Sequence, residues 1–179
     1  VRGELDLSHS NIVIVELSQQ ADAEIPFKFP WPTSVYARLV ENLNKAGVRA
    51  IAFDVMFDQP DLYDPQNDQL FADAVEKAGN VMFIGGFRRQ ADLRAGNYII
   101  ENISPVFPRE SLMDATPWKI GFVDMRRDID GVIRSYPLQA NHQGTSYYSL
   151  ALQMMPLVLG EEVRYENERE YYHIGDRTL

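Results

Sequence analysis

The chain has no cysteine. Disulfide staples, thiolate metal sites and cysteine nucleophiles are therefore excluded. Positive charge is also scarce: 17 Lys and Arg stand against 26 Asp and Glu, for a formal net charge of −9. That balance repels phosphate backbones, no local basic run offsets it, and nucleic acid is not an expected partner. No apolar run approaches the roughly 18 residues of a membrane span, and the opening VRGELDLSHS lacks a signal-peptide core, so the chain itself reads as soluble. With no initiator Met and a tail, HIGDRTL, that stops as a strand opens, it reads as a piece of a longer polypeptide, truncated at its C-terminal end.

Catalytic signatures are missing as well. No G-x-S-x-G elbow occurs, and His9, His142 and His173 sit in polar flanks or loops without a base or nucleophile beside them in sequence. The segment after the first apolar run, SQQADAEIPFKFPWP, contains no glycine, which argues against phosphate-cradling loops of the NAD or Walker type. DIDGV, Asp128 to Val132, matches the pattern of enzymes that form an aspartyl-phosphate, but it sits between Arg126-Arg127 and a turn rather than at the end of an apolar strand. Turn chemistry is the better reading. No cofactor is expected.

What is present is a folded composition, 45% hydrophobic and 24% charged over 179 residues, enough for one α/β domain spanning 1–179. Asn11–Leu17 (NIVIVEL) is a β-branched apolar run and is expected to be the first strand. Thr33–Gly47 has helical spacing at Val35, Tyr36, Leu39, Val40 and Leu43, with Thr33 or Ser34 as N-cap and Gly47 as the stop. AIAFDVMF follows as a strand, then a helix from Asp64 to Gly79, then NVMFIGGF as a strand. Both helices close on Lys-Ala-Gly before an apolar strand, which predicts a Rossmann-like β-α-β-α-β start with a mostly parallel sheet. Residues 88–118 read as a long, mostly irregular excursion. Asp130-Gly131 predicts a β-hairpin, SYYSLALQMMPLVLG a helix kinked or ended by Pro156, and the tail a polar hairpin.

Four aspartates crowd the stretch after the second apolar strand: Asp54, Asp58, Asp61 and Asp64. Alternation places Asp54 inside an apolar strand, where a buried carboxylate needs a partner or an opening. Asp58 and Asp61 fall beyond the carboxyl end of that strand, where open α/β sheets bind ligands. Asp64-Pro65 reads as N-cap and first helical residue, and Asp61 after Pro60 as turn chemistry. Calcium spacing and its glycine are absent, and no metal site is expected. The pair most worth testing for function is Asp54 with Asp58, and the candidate ligand-binding set is Asp54, Asp58, Asp61, Trp31 and Tyr63. FKFPWP, Phe27 to Pro32, reads as a stiff aromatic lid.

IVIVEL, FPWPTSVYARLVENLNKAGVRAIAFDVMFDQPD, NVMFIGGF and IGFVDMRRDIDGVIRSYPL, in that order over about the first 160 residues, resemble the CHASE domain of type two. The signature positions that carry over are Trp31-Pro32, Phe53-Asp54 with Phe57 and Pro60, and Asp130-Gly131 with Arg134. Where the family often has Arg after the Trp-Pro pair, this chain has Thr33. The resemblance implies an extracytoplasmic sensor domain of a bacterial inner-membrane or plasma-membrane receptor. Its partners would be a small ligand or extracytoplasmic protein, the transmembrane helices and cytoplasmic output domain of the same chain, and, in a homodimer, a second copy. The output would be a nucleotide cyclase, diguanylate cyclase, histidine kinase or serine/threonine kinase, with no catalysis in this domain. The alternative from the residues alone is a stand-alone hydrolase or phosphatase using Asp54 and Asp58.

Overall fold

The computed structural model describes residues 11–94, 98–118, 120–123, 130–134, 136–166, 171–174 and 176–178. The chain divides into two compact units, Val1–Trp31 and Pro32–Leu179. In the first, a six-residue helix α1 (Gln19–Glu24) starts on the Ser18 side chain, which accepts from the Ala21 amide. Trp31 is buried, and its indole donates to Asp22 at 2.8 Å. The expected first strand is not formed: Asn11–Leu17 joins no described sheet, and Ile12, Val13 and Ile14 are 78%, 85% and 81% exposed. β-branched residues favour a pleated, half-buried surface, but propensity does not by itself supply a ladder.

The second unit is built on a mixed sheet. Helix α2 (Thr33–Lys45) has Pro32 at its N-cap, so Thr33 opens the helix instead of capping it, and the chain turns away at Gly47 with φ +79°. Strand β1 (Ile51–Phe53) leads through helix α3 (Pro65–Ala78) to strand β2 (Val81–Arg94), parallel in the register Ile51↔Val81 and Phe53↔Phe83. α3 follows the sequence closely. Asp64 caps it by accepting from the Gln66 amide, Pro65 occupies the first turn, and Gly79 ends it in the left-handed region at φ +66°.

The span expected to be irregular is mostly ordered. β2 continues past Gly86 and pairs antiparallel with β3 (Tyr98–Val106), from Gly86↔Val106 to Arg94↔Tyr98, and helix α4 (Glu110–Ala115) follows. The polar composition hid the strands because this ladder rests on backbone pairing rather than on a sustained apolar alternation. Strand β4 (Gly121–Phe122) then adds to β2 in parallel at Ile84 and Gly85. The fold is therefore mixed α/β, with a sheet that is mostly parallel at its base and has an antiparallel extension, and the expected β-α-β-α-β start lacks its first strand among the described residues.

The expected hairpin at Asp130-Gly131 does not form among the described residues: its second arm, through Ile133, carries no strand, and residues 124–129, including Asp128, lie outside the described residues, as does His9. Gly131 turns there at φ +79°, but the hairpin falls later, between β5 (Gln139–His142) and β6 (Thr145–Tyr148), around Gln143 and Gly144. Helix α5 (Leu150–Leu159) runs through Pro156 rather than ending on it, capped by Ser149 and stopped by Gly160. Its start lies so close to β4 that a Cβ at Gly121 would collide with the Leu150 backbone, and that packing offsets the one helical bond a proline removes. The tail hairpin, β7 (Val163–Glu166) with β8 (Tyr171–Ile174), gains a third strand, β9 (Arg177–Thr178).

α2 and α3 cover one face of the sheet with an aromatic cluster: Tyr36, Phe53, Phe57, Phe71 and Phe83 have ring centroids 5.0 to 6.1 Å apart. Phe71 and Phe83 are fully buried, and Phe53, stacked on Phe83 at 12° between planes, is 7% exposed. Phe53→Ala should therefore lower the unfolding free energy by about 3–5 kcal/mol. Urea unfolding measures this, and a loss under about 1 kcal/mol would mean β1 is not central.

Candidate functional site

The loop Asp54–Asp64 leaves the carboxyl end of β1 and enters α3. Three backbone or core contacts pin it. Phe57 is buried in the aromatic cluster, its carbonyl accepts from the Arg109 amide at 2.9 Å, and Met56 lies over Gly86, where a Cβ would meet its Cε at 3.5 Å. Because β1 ends at Phe53, Asp54 is not in a strand interior; it is exposed, so no buried carboxylate has to be compensated. Asp58 is half-buried and pairs with Arg88 at 3.3 Å, the first arginine of the β2 extension. Tyr63 is 46% exposed.

Asp61 is the hub of the loop. One carboxylate oxygen accepts from the amides of Tyr63 and Asp64 at 2.8 and 2.9 Å and from the Asn67 side chain at 3.2 Å. The other accepts from the Thr33 amide and from the Thr33 hydroxyl at 3.0 Å. The same hydroxyl lies 2.9 Å from Asp68, which also accepts from the Asp61 amide and pairs with Arg109. Loop, α2, α3 and α4 thus meet in one charged network. Partial burial pushes the Asp61 carboxyl up, but the donated hydrogen bonds outweigh it and bring it down to about 2.

Sequence reasoning placed Asp58 and Asp61 at the strand end but gave no role to their partners. By local pattern Thr33 or Ser34 is a helix cap, Asp68 is part of a helix, and Arg88 and Arg109 fall in the span expected to be irregular. A missed second aromatic group, Phe87, Phe107, Phe122 and Tyr147 with His142, gathers at the middle of β2 and the carboxyl end of β4, with Phe122 and Tyr147 4.6 Å apart. Trp31 is described within its own unit, beside Phe29 at 6.0 Å, with Phe27 and Phe29 exposed. Among the described residues no three His, Asp or Glu side chains are grouped as a metal ion would require.

The Asp130-Gly131-x-x-Arg134 signature is a local clasp. Asp130 accepts from Arg134 at 2.9 and 2.6 Å and from the Val132 amide at 3.1 Å, and the arginine holds its carboxyl below the usual range. The family signature positions therefore form an aromatic core, a strand-end loop and an acidic clasp.

The CHASE2 domain model matches residues 1–177. The chain belongs to the CHASE2 domain family. CHASE2 domains are extracytoplasmic sensor domains rather than catalytic ones, and among the described residues no helix is long and apolar enough to cross a membrane. No curated protein and no solved structure gives a significant match.

Asp61 sets a pH dependence. Its carboxyl is held lower when folded than when unfolded, so the stability it contributes is present above about pH 4 and is lost as pH falls through about 2. Asp61→Asn should lower stability at pH 7 by about 1–2 kcal/mol and flatten the fall in stability between those limits. Denaturant unfolding across that range would show it, and an unchanged slope would remove Asp61 from the network.

Proposed function

We propose that this CHASE2 domain is the signal-input module of a membrane-bound bacterial receptor. Its ligand site is the strand-end loop carrying Asp54, Asp58, Asp61 and Tyr63, and its output is a cytoplasmic nucleotide cyclase or kinase of the same chain. The family match carries the sensor reading. The loop's place supports the site: it lies beyond the carboxyl ends of parallel strands, where α/β sheets bind ligands. Within it, Asp61 has its oxygens filled by internal donors and is the fixed end, while exposed Asp54, half-exposed Tyr63 and the Asp58–Arg88 pair form the end a solute reaches.

An exposed ion pair contributes only about 0–1 kcal/mol. A solute bearing a cation for Asp58, an anion for Arg88, or both can therefore displace it at little cost. A sensor's ligand must bind its two states with different affinity, since a ligand that binds both equally shifts nothing.

In the parent receptor, deleting the domain or introducing Asp58→Asn with Arg88→Gln should change the cytoplasmic output by about fivefold or more in response to added solutes. Constant output under both changes would sink the sensing reading. Turnover of simple phosphate or ester substrates that vanishes in Asp54→Asn would establish the hydrolase instead; none is expected.

A further inference from the structure

One part of the fold with a single extensive neighbour is the ribbon formed by the second half of β2 with β3. Nine residue pairs, Gly86↔Val106 to Arg94↔Tyr98, make an arm about 30 Å long. β2 is held at its base by β1 and β4, but among the described elements the one extensive neighbour of β3 is β2, and no described strand pairs with its second edge. A two-stranded ribbon without a covering layer is marginal in water, and a long open edge is a template for another chain.

Soluble proteins blunt such edges with Lys, Pro, bulges or very short strands. β3 is nine residues long, and in Tyr98-Ile-Ile-Glu-Asn-Ile-Ser-Pro-Val it carries a single charge, Glu101, and no Lys or Arg. Its one protecting residue, Pro105, sits next to the end of the strand and leaves positions 98–104 open to pairing. The edge has the composition of a strand meant to be joined.

Its sequence also fits a second copy of itself as the joining strand. In an antiparallel pair of identical strands related by a two-fold axis, facing residues share the same parity, so the axis must pass through a residue. An axis at Glu101 would oppose two carboxylates. An axis at Asn102 engages all nine positions, pairing Tyr98↔Val106, Ile99↔Pro105, Ile100↔Ser104 and Glu101↔Ile103, with Asn102 facing Asn102 and no like charges opposed. We infer that β3 pairs edge to edge with β3 of a second copy about a two-fold at Asn102, joining two ribbons into a four-stranded antiparallel sheet. The inference stands on the backbone ladder and the strand's sequence, and is independent of the ligand reading.

Sedimentation of the 179-residue chain should show a concentration-dependent dimer, and hydrogen exchange should show amides in 98–104 slowing as concentration rises. Asn102→Asp and Asn102→Lys each place like charges face to face and should weaken the dimer by about fivefold. An equimolar mixture of the two, with Asp opposite Lys, should restore it. A wild-type chain that stays monomeric, a dimer indifferent to both substitutions, or a mixture no tighter than either variant alone would each overturn the proposal.

Discussion

The structure depends on Phe57 being both a core residue and a loop residue. Its ring contacts Tyr36, Phe53, Phe71 and Phe83, which come from α2, β1, α3 and β2, so the loop leaving β1 is sealed into the same aromatic cluster that holds the helices on the sheet. Aromatic edge-to-face contacts add about 0.5–1.5 kcal/mol each beyond the area they bury. With that anchor set, the aspartates on either side have limited freedom: Asp54 is held out at the strand end, and Asp58 is directed to the base of the ribbon.

Asp61 completes the restraint at the other end of the loop. A carboxylate that accepts from several backbone and side-chain donors fixes a turn strongly, because each donor would otherwise lose its water without replacement. Thr33 is central here. In the family an arginine often follows the Trp-Pro pair; in this chain the shorter threonine donates amide and hydroxyl to Asp61, while Arg109 from the start of α4 supplies the cation to Asp68. The loop is tied to both helices.

The local parts of this arrangement were legible in the sequence. The Asp64-Pro65 start and Gly79 stop of α3 follow from capping chemistry confined to a few residues, and Phe53 was readable as core from its strand. The long-range parts were not. Thr33 meets Asp61 28 residues away, and no local pattern encodes that meeting. Arg88–Arg94 and Tyr98–Val106 form strands although neither segment has a sustained apolar alternation, because the ladder satisfies backbone groups whatever the side chains are. Asn11–Leu17 fails in the opposite direction, having ideal strand residues without membership in a described sheet.

These features place the exchangeable ion pair and the proposed dimer edge on one element. Arg88 belongs to β2 and is paired in register with Ser104 of β3, so a solute that takes Asp58 or Arg88 for itself acts at the root of the ribbon. The pair itself is weak, but a two-stranded ribbon on its own is marginal in water, and a bias of about 1–3 kcal/mol is what coupling between two sites typically amounts to. A signal need not cross the aromatic core, which is close-packed and resists small displacements. On the proposals above it would pass along the antiparallel β2–β3 arm, from the loop at its base to the proposed dimer edge.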